Sequence, residues 1–152
     1  MRLETELRQI QARWILGLIS SEELPELATG LLSRGIESSS LIELAGSASH
    51  ATGMRDLFNE ALDELGCRTM EATEALRVYA RAVSTSILEG ETPPVEGARS
   101  IWRATLLVRA HGWHELDPFI YAASEAEDRP EDRELFERAI LEEAKKWASS
   151  DL

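Results

Sequence analysis

An all-α fold of about eight helices in two quasi-equivalent groups is what this sequence predicts, and three observations carry it. Apolar residues recur at spacings of three and four along most of the chain, as one buried face of a 3.6-residue helix requires. No run of alternating β-branched residues supports a sheet. Residues 41–66 also match residues 119–144 at a constant offset of 78. Leu41-Ile42 answers Phe119-Ile120, Ala45 answers Ala123, and the run from Arg55 to Leu62 answers that from Arg133 to Ile140. Eight of these 26 positions are identical, more than a shared helix-rich composition supplies, and the match reads as an internal duplication.

With short gaps the match extends upstream. Ala12-Arg13 and the stretch Ile19 to Ala28 resemble Ala80-Arg81 and the stretch Leu88 to Ala98, and Gly35-Ile36 corresponds to Gly112-Trp113. The expected organisation is one domain spanning residues 1–152, with repeat halves at about 2–66 and 70–149.

The first helix is expected from about Arg2 to Leu18, because Leu3, Leu7, Ile10, Trp14 and Leu18 share a face. Ser20 or Ser21 caps the second, where Glu22 and Glu23 suit the positive helix end and Pro25 is tolerated in the first turn. That helix stops at Gly35. Ser39 or Ser40 starts a short third helix through Leu41 and Leu44, and residues 46–53 form the loop richest in small residues. Helix four places Leu57, Phe58, Ala61, Leu62 and Leu65 on one side and ends at Gly66. Helix five begins near Met70 and turns Leu76, Tyr79, Ala80, Val83 and Ile87 inward. Glu89 to Pro94 breaks the chain, and helix six, with Ile101, Trp102, Leu106 and Val108, runs to Gly112. Asp117-Pro118 starts helix seven. The acids around Pro130 start helix eight, which buries Leu135, Phe136, Ala139, Ile140 and Trp147.

Charge narrows the partners. Twenty-eight acids against 16 bases leave a net of −12, and such a surface repels phosphate backbones, which argues against nucleic acid. Between Glu115 and Glu143 stand eleven acids and three arginines, so this stretch alone carries −8. Apolar runs such as Trp14 to Ile19 fall far short of the roughly 20 residues that span a bilayer. The charged start Met-Arg-Leu-Glu is not that of a signal peptide, and a cytoplasmic location is expected. The single cysteine, Cys67, cannot form an intramolecular disulfide; beside a helix C-terminus it lacks the positive environment that activates thiolates.

The sequence offers no catalytic, cofactor-binding or metal set. His111-Gly-Trp-His114-Glu115, with Asp117 nearby, is the one cluster with metal-ligand chemistry, but Gly112 interrupts the face that the two rings would have to share. The acids from Glu125 to Asp132 lack the glycine and the Asp-x-Asp-x-Asp-Gly order of a calcium loop. Arg55 and Arg133, at equal places in the repeat, are expected to be structural, for example by bonding carbonyls of the preceding short helix. The tryptophans lie on or just after apolar stripes and are expected in the core, with Trp113 the best placed to act as a binding anchor.

The phrases Leu24-Pro-Glu-Leu-Ala28, Leu41-Ile-Glu-Leu-Ala-Gly46, Leu57 to Gly66 and Gly97-Ala-Arg-Ser-Ile-Trp102 resemble those of small acidic all-helical proteins from high-GC bacteria, actinobacteria especially. That resemblance implies a helical fold and a bacterial source, and no activity. The function class that fits is a non-enzymatic protein–protein interaction module with a basic protein partner. Immunity proteins and antitoxins, which neutralise basic nucleases, are physically of this kind. The expected surface comprises Trp113, Glu115, Asp117, Glu125, Glu127, Asp128, Glu131, Asp132 and Glu134. The alternative from another class is a metal-dependent enzyme built on His111 and His114.

Overall fold

The computed structural model describes residues 3–48, 51–110 and 112–150, and its regular structure among them is helical, with no strand. Eight α-helices follow in order: α1 Leu3–Ile15, α2 Leu24–Ser33, α3 Ser39–Ala45, α4 Met54–Glu64, α5 Ala72–Leu88, α6 Pro94–Leu107, α7 Asp117–Asp128 and α8 Arg133–Ser149. Single 3₁₀ turns, Ser21–Glu23 and Pro130–Asp132, lead into α2 and α8. None of the described helices is long and apolar enough to cross a membrane. The chain divides at Met70/Glu71 into two compact units, each with four of these helices.

In the first unit α3 packs between α2 and α4. Helix α1 meets α4 through large side chains: the Trp14 ring stands edge-on to Phe58 with centroids 5.0 Å apart, and its indole N–H donates to Asn59 Oδ1 at 3.0 Å. Around this pair Ile10, Leu24, Leu31, Leu41, Leu44 and Leu62 form one buried cluster. The short α3 is held at its start by side chains. Ser38 Oγ accepts from the Leu41 backbone N–H at 3.0 Å, and Glu64 from α4 accepts from the Ser40 N–H at 3.0 Å and from the Ser40 hydroxyl. These donors, the Ser40 hydroxyl first, hold the Glu64 carboxyl below its usual range.

In the second unit α5 lies against both α6 and α8, and α7 against the same two helices. Its core is richer in small residues, with Ala80 and Ser84 of α5 and Ala144 of α8 fully buried. The Ser84 hydroxyl has no hydrogen-bond partner among the described residues. At the offset of 78, Leu41 and Phe119, Leu44 and Ala122, Phe58 and Phe136, and Leu62 and Ile140 are buried in both units. The equivalence of environment stops there. Ala61 is buried where Ala139 is exposed, and Arg55 lies 4.9 Å over the Trp14 ring whereas Arg133 faces Glu137 at 3.9 Å.

Several boundaries and faces differ from the expectations. Helix α1 stops at Ile15, three residues early, and Leu3 at its other end is exposed. Helix α3 does start at Ser39, and the residue before it, Ser38, is its cap. Leu106, Leu135 and Ala139, expected in the core, face solvent, and Trp147 is half-buried. Leu106 stands five residues after Ile101 and Leu135 five before Ile140, about 140° around the helix from those buried side chains, which turns both to water. Part of the 46–53 loop, Ser49 and His50, lies outside the described residues.

Helix α6 ends at Leu107, five residues before Gly112. Helix α2 shows how such an end is ordinarily made. Gly35 takes φ 86°, and the N–H groups of Ile36 and Gly35 return to the carbonyls of Leu31 and Leu32. At α6 the same pair of bonds runs from Ala110 to Thr105 and from Arg109 to Leu106, and the left-handed residue is Arg109 at φ 50°. A side chain in that region costs about 1–2 kcal/mol, and glycine adds about 0.5–1 kcal/mol of unfolded-chain freedom. Arg109→Gly is therefore expected to stabilise the protein by about 0.5–1 kcal/mol, read as a raised denaturation midpoint.

Candidate interaction surface

Helix geometry separates the residues that the sequence grouped into one acidic surface. Glu115 lies beside Lys146, Trp147 and Ser150, with which it and Arg77 line a pocket of about 250 Å³ at the C-terminal end of α8. Glu131, Asp132 and Glu134 lie at the opposite end of that helix. From Glu134 to Trp147 an α-helix rises roughly 20 Å. Trp113, Glu115 and Asp117 thus stand near one pole of the second unit, and Glu125, Glu127, Asp128, Glu131, Asp132 and Glu134 cluster toward the other.

At the first pole the polar groups satisfy one another. Arg77 donates to Glu115 through Nε at 2.9 Å and Nη2 at 2.7 Å, a two-pronged pair that holds the Glu115 carboxyl below its usual range and raises Arg77. The same guanidinium lies 5.6 Å from the centre of the Trp113 ring. Trp113 is half-buried, and its indole nitrogen is shielded from solvent on the side of Glu115, whose carboxyl it helps to hold low. Trp147 donates to Glu143 at 3.2 Å, the Ser150 hydroxyl donates to the Trp147 carbonyl at 2.8 Å, and Lys146 lies 3.5 Å from Glu143. The pocket therefore presents polar groups already occupied by their neighbours.

The exposed His114 ring places Nδ1 2.9 Å from Asp117 Oδ2. His111 lies outside the described residues, and with it the expected cluster. Among the described residues no three His, Cys, Asp or Glu side chains are grouped to hold a metal. Cys67 is half-buried, and desolvation, with Asp63 nearby, raises its thiol above the usual range.

The second pole is mixed. Arg99 lies 2.8 Å from Glu127; Arg129 lies 3.1 Å from Glu125 and 3.9 Å from Asp132. Asp128, Glu131 and Glu134 are exposed and have no partner among the described residues. Exposed ion pairs contribute little to stability, but they matter for recognition because a paired carboxylate presents a dipole outward and an unpaired one a net charge. Two large side chains are exposed on these helices: Tyr121 midway along α7, which the sequence did not single out, at 60% exposure, and Leu135 near the start of α8, expected in the core, at 52%. A helical wheel holds the signal for the tyrosine: it lies one turn from Asp117 and one turn from Glu125, on the face that those acids turn to water.

No family model, curated protein or solved structure matches this chain.

Proposed function

We propose that this protein is a non-enzymatic cytoplasmic interaction module that binds a basic protein through the acidic pole of its second unit. The observation that carries this reading is the group of exposed carboxylates on Asp128, Glu131 and Glu134, which have no ion-pair partner among the described residues. Charge of one sign concentrated at one place raises the encounter rate with an oppositely charged surface. The partner chemistry is that of a lysine- and arginine-rich protein face. A basic nuclease held inactive in the manner of an immunity protein is one partner of this kind.

The test begins with a binder obtained by pull-down and compares it with a variant carrying Glu131→Lys, Asp132→Lys and Glu134→Lys. The association rate at low salt should fall at least tenfold, on the scale of electrostatic steering, and its salt dependence should flatten. A folded variant with unchanged rate and salt dependence would show that these acids only solvate α8 and assist its positive end.

A further inference from the structure

Helix α6 turns a face of mixed chemistry to solvent. Successive residues of a helix step by about 100°, so Glu96, Arg99, Ser100, Arg103, Leu106 and Leu107 fall within one arc of about 120°, with the buried Ile101 on the far side. Leu106 and Leu107, at 65% and 57% exposure, flank Arg103 one turn further on. Glu96 and Arg103 are exposed and have no partner among the described residues, whereas the charge of Arg99 is met by Glu127 at 2.8 Å. In a chain of net −12 this face therefore carries one free charge of each sign beside an apolar pair.

The order of those charges points to what covers them. Glu96 stands seven residues before Arg103, two turns along the same face. We infer that a second copy of this chain docks here, the two α6 helices lying antiparallel about a two-fold axis that passes beside Arg99 and Ser100. In that register Glu96 of each copy meets Arg103 of the other, because a two-fold contact repeats every pair. Leu106 of each copy then lies over Pro93 of the other, the exposed proline before α6. Charge selects this occupant. A wholly acidic segment would satisfy Arg103 but face Glu96 with its own sign, and a wholly basic one would do the reverse. The leucines supply the affinity by leaving water, and the ion pairs, which are worth little in energy, set the register. Two helix faces of about three turns bury less than the roughly 1,200 Å² of a standard interface, so the dimer is a weak one.

The test is sedimentation equilibrium of the full chain at concentrations up to about 1 mM, where complexes of low affinity are populated. The average mass should rise from 17.0 kDa toward twice that value. Leu106→Ser with Leu107→Ser should weaken association by about tenfold or more, with helical circular dichroism unchanged because both side chains are exposed. Glu96→Arg and Arg103→Glu each place like charges opposite one another twice, and each should weaken self-association by about fivefold. An equimolar mixture of those two variants restores both pairs across the contact and should associate as the parent does.

A parent that stays monomeric throughout overturns the inference, as does a dimer that the two serine changes leave intact. Association of the mixture no stronger than that of either charge variant alone overturns the two-fold register. Loss of association on reversing Glu131, Asp132 and Glu134 to lysine would show copies meeting head to tail through the acidic pole instead. A monomeric parent that binds a synthetic acidic, leucine-bearing peptide, and loses it with Arg103→Glu, would place a foreign acidic segment on this face.

Discussion

Phe58→Ala is expected to destabilise the protein by about 3–5 kcal/mol, the range for removing a buried phenylalanine ring. Phe58 is 1% exposed at the centre of the first unit's core, and it supplies the surface on which Trp14 stands edge-on. Truncation opens a cavity and removes the aromatic pair, itself worth about 0.5–1.5 kcal/mol beyond burial. It also leaves α1 with less to rest against, because α1 reaches α4 through these large side chains. Total stabilities are commonly about 5–15 kcal/mol, so the loss should appear as a large fall in the urea midpoint. Phe136→Ala, at the equivalent place in the second unit, should fall at the lower end of the range. Its ring is 5% exposed, and its neighbours Tyr121 and Arg129 both reach solvent and have room to settle over the gap. A Phe58→Ala protein with the parent's midpoint would contradict this core.

Gly97→Val is expected to cost about 2–3 kcal/mol through overpacking. Gly97 sits in the first turns of α6 where that helix presses on α5. A Cβ there would lie 2.5 Å from Ile87 Cδ1, 2.8 Å from its Cγ1 and 3.2 Å from Val83 Cγ1. Rotation of Ile87 moves Cδ1 but relieves Cγ1 far less, since that atom is one bond from Cβ. The signature is a reversal of sign. Ile87→Val in the parent should cost about 0.5–1.5 kcal/mol, whereas in the Gly97→Val background the same change removes the closest atom and should restore part of the loss. Additive costs in the double variant would show that the two positions do not press on each other.

These two residues illustrate what kinds of information a sequence holds. Phe58 could be read as core because Leu57, Phe58, Ala61, Leu62 and Leu65 share a face at helical spacing, and periodicity is a local property of the chain. Gly97 looked like any helical glycine, since its necessity comes from Ile87 across the α5–α6 contact. The helix stops at Gly35 and Gly66 were legible for a related reason: a left-handed turn favours glycine, and the residue advertises the conformation. The stop at Arg109 was not, because an arginine there takes the left-handed conformation that glycine would ordinarily mark, and its identity gives no sign of it.

The candidate surface divides along the same line. By itself the sequence determined an all-helical fold, a chain of net −12, the concentration of acid after Glu115 and the absence of a recognisable catalytic motif, all properties of composition and local spacing. Only the tertiary structure decided which acids remain available. It brought Arg77 to Glu115 across 38 residues and Arg99 to Glu127 across 28, and left Asp128, Glu131 and Glu134 without partners among the described residues. It also set Trp113 and the acids around Glu131 toward opposite ends of α8 and brought Tyr121 beside Phe136. Neighbours in sequence two or more helical turns apart are separated by the rise of the helix, and distant residues are joined by the packing of its faces. Pairing and separation of that kind are properties of the packed chain.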